Sequence, residues 1–297
     1  EFYGKLSFLK AGINYASHIT TVSQTYAQEI TQPALGCGLD GLLSLKASEQ
    51  KLSGFVNGID ECWNPITDSY LVENFAAGEW DRRTANTRYV ETLFDLPASE
   101  GPLFAVVCRL VEQKGLDLLP DVIEQIIAAG GRLAVLGQGQ PELEEMISQL
   151  AQRYPLHVAF RRGFNEADAR RMFAGSDFLL MPSRYEPCGL SQSYAQCFGS
   201  LPIGHRTGGL ADTIEDDQTG FLFDQMTPTS FAGAIERAMN TYLLPDLLDA
   251  MRRKAMQAPR YWQQTAKPYA ELYHHLAESS LASSLTLPGR SKRAWAL

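Results

Sequence analysis

The chain has 297 residues, enough for about two domains and a sizeable core, and its hydrophobic and charged fractions of 45% and 20% are those of an ordinary globular protein. The net charge of −8 argues against a general binder of nucleic acid or acidic membranes, so an anionic ligand must be met by a few placed cations. Five cysteines (Cys37, Cys62, Cys108, Cys188, Cys197) with no C-x-x-C pair fit reduced thiols in a cytoplasmic compartment better than disulfides or a zinc site. No apolar run reaches membrane-spanning length. The opening EFYGKLSFLK carries no h-region and no initiator Met, and the expectation is a chain that starts inside a larger protein.

In chain order, residues 1–16 place Phe2, Leu6, Leu9 and Ile13 near helical spacing. HITTVS at 18–23 is β-branched and predicts a short buried strand; 25–30 resumes a helix. Residues 33–41, with three glycines, read as a loop. Phe55 and Val56 predict a strand, and Asn57-Gly58 a turn. Residues 61–81 are polar with scattered aromatics, more linker than core, and 81–93 looks helical. From Leu103 the rhythm becomes regular. Strands are expected at 103–108, 132–136, 157–160, 178–182, 201–204 and 221–223. Helices are expected between them at 115–129, 141–154, 165–174 and 188–199. Such alternation implies an α/β fold with a parallel sheet covered on both faces. Helices at 228–242, 245–257 and 261–278 complete the fold, and the basic residues 279–297 read as a mobile tail.

The stretch DFLLMPSRYEPCGLSQSYAQCFG, residues 177–199, is central. An apolar strand ends at Pro182, a charged break follows, and helical spacing resumes from Cys188-Gly189. Glu186 therefore stands where a parallel strand hands over to a helix, the rim at which open α/β sheets collect ligands. In CRLVEQKG, Arg109 and Lys114 also follow a strand and suit a phosphate; two solvated surface cations are the plainer alternative. In RTGGLADT, Gly208-Gly209 after Thr207 permits a close backbone approach and an oxyanion cradle, or else only a tight turn. These groups share one sheet edge, and that joint placement outweighs each plain alternative.

Other signals are weaker. LGQGQPE has Gly137 and Gly139 but no third glycine and no ribose-binding acid, which disfavours a nicotinamide enzyme. The five histidines show no metal spacing, and no Ser-His-Asp order or His partner for Cys188 is evident, so neither a metal nor a cofactor is expected. A helix start beside Cys188 would lower its thiol pKa.

Taken together, SRYEPCGLSQSY, RTGGLADT, CRLVEQKG and the NGID at 57–60 resemble bacterial glycogen synthase and plant starch synthase. The similarity runs from Glu1 to about Leu276, including EFYGKLSFLKAG, ITTVSQTYAQEI and YWQQTAKPYAELY. The resemblance implies a two-domain glycosyltransferase of the B type. Residues 1–56 would be a remnant of the N-terminal acceptor domain. Residues 57–258 would be the Rossmann-like donor domain and 259–278 a helix crossing back. It further implies that Arg109 and Lys114 hold the donor's distal phosphate and that Glu186 lies against the transferred glucose. Cys188, Gly189 and Leu190 would offer that sugar backbone contacts, and Ser191 would meet the pyrophosphate. Asn57 would border the sugar, Thr207, Gly208 and Gly209 would line the donor site, and Phe164 would stack beside adenine. The family's Lys-x-Gly-Gly loop, and the His and Asp that its N-terminal domain supplies near the reacting carbon, have no counterpart here.

The implied activity is retaining transfer of glucose from ADP-glucose to the non-reducing end of an α-1,4-glucan. Two alternatives stand beside it: a nucleotide-sugar-binding fragment without catalysis, and a UDP-glucose-dependent enzyme.

Overall fold

The computed structural model describes residues 3–285. The N-terminal part comprises α1 (Phe8–Tyr15), β1 (Ile19–Thr21), α2 (Gln24–Glu29), α3 (Asp40–Ser48) and β2 (Leu52–Gly54). β1 and β2 pair in parallel, Ile19 opposite Leu52. Serine hydroxyls start the first two helices: Ser7 accepts from Lys10 N and Ser23 from Tyr26 N, each satisfying an amide with no partner in its own helix. The helix α3 begins inside the segment read as loop; two buried side chains, Leu43 and Lys46, are too few to give it a visible period.

Then come α4 (Trp80–Leu93), β3 (Leu103–Val107), α5 (Leu119–Ala128), β4 (Arg132–Gly137), α6 (Pro141–Arg153), β5 (Val158–Arg162) and α7 (Glu166–Gly175). They are followed by β6 (Phe178–Met181), α8 (Ser191–Cys197), β7 (Leu201–His205), α9 (Gly208–Thr213) and β8 (Phe221–Phe223). The last helices are α10 (Pro228–Tyr242), α11 (Pro245–Gln257), α12 (Trp262–Thr265) and α13 (Lys267–Leu285). β3 to β8 form one sheet of order β5-β4-β3-β6-β7-β8 in which every pairing is parallel. Alternate side chains face opposite layers. Phe104 and Val106 pack with α5, α6, α10 and α11, whereas Leu103, Ala105 and Val107 pack with α4, α7 and α8. With both faces covered, β3 is apolar and buried throughout.

Three expectations are corrected. Residues 61–81 are more than linker: Leu71 and Phe75 are core, and Trp63 stacks on Tyr194 with ring centroids 3.6 Å apart. The Arg170 guanidinium lies 3.9 Å above the Trp63 ring and pairs with buried Asp68 at 2.6 Å. The segment packs without regular structure, so it has no period to detect. The helix expected from Cys188 begins only at Ser191, because Gly189 takes a left-handed φ of +66°. Finally, α13 runs on to Leu285, into the segment expected to be tail. The rest of the expected tail, 286–297, lies outside the described residues, as do Glu1 and Phe2.

Candidate active site

Strand order reverses between β3 and β6, and the loops after those two strands border the crevice there. Arg109 and Lys114 belong to the first loop, Ser183 to Leu190 to the second. Gly115 lets the two approach: its φ is +64°, and a Cβ there would stand 1.8 Å from the Pro182 carbonyl oxygen. Arg184 N donates to Gln113 O at 2.8 Å, and Gln113 Nε2 donates to Tyr185 O at 3.0 Å. A bidentate Arg184–Asp117 pair, both bonds 2.7 Å, closes the seam.

At its centre, Lys114 Nζ meets Glu186 Oε2 at 2.5 Å, and Ser183 Oγ donates to the same oxygen at 2.9 Å. Glu186 is only 6% exposed. A cavity of about 20 Å³ separates Lys114, Cys108 and Ser183 from Ser191, the first residue of α8. Arg109 is exposed beside this group, and its side chain has no ion-pair or hydrogen-bond partner among the described residues.

The diglycine turn packs behind the carboxylate loop. Gly209 N donates to Glu186 O at 2.9 Å. Cβ atoms on Gly208 and Gly209 would stand 2.0 Å from Glu186 O and 1.8 Å from Cys188 O. The turn does hold an anion, but it is a side chain of the chain itself: Glu29 Oε1 accepts from Thr207 Oγ1 at 2.8 Å and from Gly208 N at 3.1 Å. Asn57 joins through its backbone, which lies near enough to the Cys188 sulfur to favour the thiolate. Gln192, fully buried, donates to the carbonyls of Cys188 and Gly189 at 3.0 Å each and so fixes the backbone before Leu190 and Ser191.

Burial pushes the Cys188 thiol up, with the Asn57 backbone only partly opposing it, so the lowering expected at a helix start does not occur. Burial likewise pushes Cys108 up to about 12, against the nearby Lys114 charge. Phe164 follows β5, two strands or roughly 10 Å from β3, and is 70% exposed. Seven sequence-singled residues thus gather in the crevice: Arg109, Lys114, Glu186, Cys188, Gly189, Leu190 and Ser191. Thr207, Gly208 and Gly209 buttress it, Asn57 touches it, and Phe164 stands off. Sequence reasoning missed Ser183, Gln113, Gln192 and Glu29. Ser183 lies within the quoted SRYEPCGL string, but nothing local points to Glu29.

Comparison with known proteins gives the family. Residues 93–258 match the family described as glycosyl transferases group 1. The chain belongs to the group 1 glycosyltransferases. Residues 1–45 also match the starch synthase catalytic domain family. Glycogen synthase of Pseudomonas syringae pv. syringae (strain B728a) is 59% identical over 284 residues, covering 96% of this chain and 59% of that protein. Glycogen synthase of Pseudomonas fluorescens Pf-5 is also 59% identical, with 54% of its length covered. The group 1 glycosyltransferase described here thus spans somewhat over half the length of these relatives. Among solved structures, the catalytic domain of starch synthase IV from Arabidopsis thaliana, bound to ADP and acarbose, superposes with a TM-score of 0.82. It is 33% identical and covers 90% of this chain and 57% of that one. The fold is the glycosyltransferase B type, α/β with a parallel sheet.

Proposed function

We propose that this chain is the donor-binding part of a retaining glucosyltransferase that extends an α-1,4-glucan from ADP-glucose, as in glycogen synthesis. The observation that carries it is the Lys114–Glu186 contact of 2.5 Å at the point where strand order reverses. In support, relatives named glycogen synthase share 59% of aligned residues, and a 33%-identical structure is described as bound to ADP.

In this reading the C1–O bond to the nucleoside diphosphate breaks, a new C1–O bond to the glucan hydroxyl forms on the same face, and the hydroxyl proton passes to the departing phosphate. Negative charge grows on the distal phosphate. Arg109 and Lys114 meet it, each donor contributing about 2.7–4 kcal/mol by analogy with oxyanion holes. Glu186 orients the sugar and favours positive charge on its ring. Cys188, Gly189 and Leu190 supply backbone contacts, Ser191 its hydroxyl to the pyrophosphate, Asn57 a border to the sugar and Phe164 a stacking face for adenine. Thr207, Gly208 and Gly209 hold the Glu186 loop from behind. No metal or cofactor enters these steps. A cytoplasmic setting belongs to the same proposal; among the described residues no helix is long and apolar enough to cross a membrane.

The test is Arg109→Ala and Lys114→Ala in a protein extended to the length of its Pseudomonas relatives, assayed with ADP-glucose and glycogen. Each substitution is expected to lower kcat/KM by about 10²–10³. Turnover within about threefold of wild type would remove the phosphate assignment. Faster turnover of UDP-glucose than of ADP-glucose would overturn the choice of donor. Because the chain spans 59% of its relative, a donor-binding module without catalysis is the second reading. Calorimetric binding of ADP-glucose by the 297-residue chain, without glucan extension, supports that reading.

A further inference from the structure

The opposite rim of the sheet carries a second polar centre that the donor site does not use. Arg132 opens β4, Asp177 immediately precedes β6, and Leu103 opens β3, so the centre lies at the strand N-termini, roughly 17 Å from the crevice along β3. A cavity of about 300 Å³ is lined there by Arg83, Arg88, Arg132 and Arg252, together with Trp80 and Tyr242. Three of those arginines are almost wholly enclosed: Arg132 is 1% exposed, Arg83 3% and Arg252 7%.

Two buried carboxylates serve these four guanidiniums. Asp177 Oδ1 is shared by Arg252, in direct contact, and by Arg83 at 3.6 Å, while Asp177 Oδ2 accepts from Leu103 N at 2.8 Å. Glu91 is shared by Arg132 and Arg88. The third acid, Glu100, reaches only Arg88, at 3.4 Å, and is 98% exposed, where water screens it. The enclosed set, three guanidiniums against two carboxylates, therefore carries an excess of one positive charge, with half-exposed Arg88 at its edge. Arg132 Nε and Arg252 Nε are buried and donate to nothing. Burial and the neighbouring Arg252 push Arg83 down to about 9, as expected of a guanidinium short of counter-charge. Packing alone rarely retains buried cations without matching anions.

We infer that this cavity binds a small anion of the phosphate class, inorganic phosphate or a phosphate monoester, held by Arg83, Arg88 and Arg252, with Arg132 engaged by Glu91 and backbone carbonyls beneath them. The excess positive charge favours an anion, and planar guanidiniums suit phosphate oxygens. Trp80 and Tyr242 offer an aromatic wall to any organic remainder.

The test must exclude phosphate bound at the crevice, so it is run on the 297-residue chain carrying Arg109→Ala and Lys114→Ala. Titration calorimetry with inorganic phosphate, at ionic strength held constant with chloride, is expected to show one saturable site per chain. Adding Arg252→Gln should weaken it at least about tenfold. Because Arg252→Gln removes a buried partner of Asp177, half-exposed Arg88→Gln is the second variant. It should also weaken binding while circular dichroism and the melting temperature stay unchanged. Tighter binding of a hexose monophosphate than of phosphate would identify a monoester as the ligand; equal binding would identify the phosphate group alone. Absence of saturable binding in the double-alanine background, or binding that neither further variant alters, overturns the inference. Neither result depends on whether ADP-glucose is the donor.

Discussion

Glu186 and Cys188 stand two positions apart in one loop, yet their surroundings treat them differently. Glu186 meets an ammonium and a hydroxyl, and Cys188 is shut away from water with no cation beside it. A thiol raised by burial holds less thiolate at any given pH. At pH 8 a thiol at about 12, such as Cys108 or Cys197, is ionised in about one molecule in 10⁴. Iodoacetamide at pH 8 should therefore label exposed Cys37 and Cys62 first, leaving Cys108, Cys188 and Cys197 until the chain unfolds. Peptide mass spectrometry reads this directly, and early labelling of Cys188 would contradict the burial account. At this scale the candidate site residues were legible because each follows a strand: Arg109, Lys114 and Glu186 could be placed on one edge from spacing. Their supports were not. Glu29 meets Thr207 and Gly208 only through the folded chain, and no local pattern encodes a partner that distant.

Among the elements, the loops after β3 and β6 behave as one piece. Gly115→Ala would force a left-handed φ on alanine and drive its methyl into the Pro182 carbonyl. The expected cost is about 1–3 kcal/mol in urea unfolding, with weaker ADP-glucose binding as Lys114 moves. The Arg184–Asp117 pair gives a pH signature. Its hydrogen bonds hold the Asp117 carboxyl below its ordinary value. The stabilisation is therefore present above the unfolded value of about 3.9 and is lost as pH falls through the lower folded value. With both side chains over a third exposed, it amounts to at most about 1 kcal/mol. Asp117→Asn should lower the urea midpoint at pH 7 but scarcely at pH 2. The strands and most helices from Leu103 onward were readable to within a few residues because buried parallel strands are unbroken apolar runs, whereas the short helix α9 was read only as a turn. The helix α3 and the packed segment 61–81 escaped detection because their contacts are tertiary and leave no period.

For the molecule as a whole, the N-terminal part docks on the Rossmann-like lobe through reciprocal carboxylates. Asp212 in α9 accepts from Gln24 N, Thr25 N and Thr25 Oγ1 at the start of α2, at 2.7, 3.1 and 2.5 Å. Glu29 in α2 accepts from Thr207 and Gly208 at the start of α9. Each acid satisfies the orphan amides of the other helix. Glu29→Ala and Asp212→Ala should each cost about 1 kcal/mol, and should jointly cost less than their sum because they serve one contact. Limited trypsin digestion is the sharper measurement: cleavage after Lys51 should quicken in both variants. Unchanged cleavage would mean that other contacts hold the N-terminal part in place.

The missing room at Gly115 also constrains redesign. Where a backbone carbonyl excludes even a methyl group, the ammonium one residue earlier is aimed by the main chain and not by its own torsions. Attempts to change sugar preference by randomising this neighbourhood should keep positions 115, 182, 208 and 209 fixed. Diversity belongs instead in outward-facing side chains such as Tyr185 and Arg109. Libraries that ignore the tight seam would consist mostly of misassembled proteins, and their screens would report folding failure in place of altered selectivity.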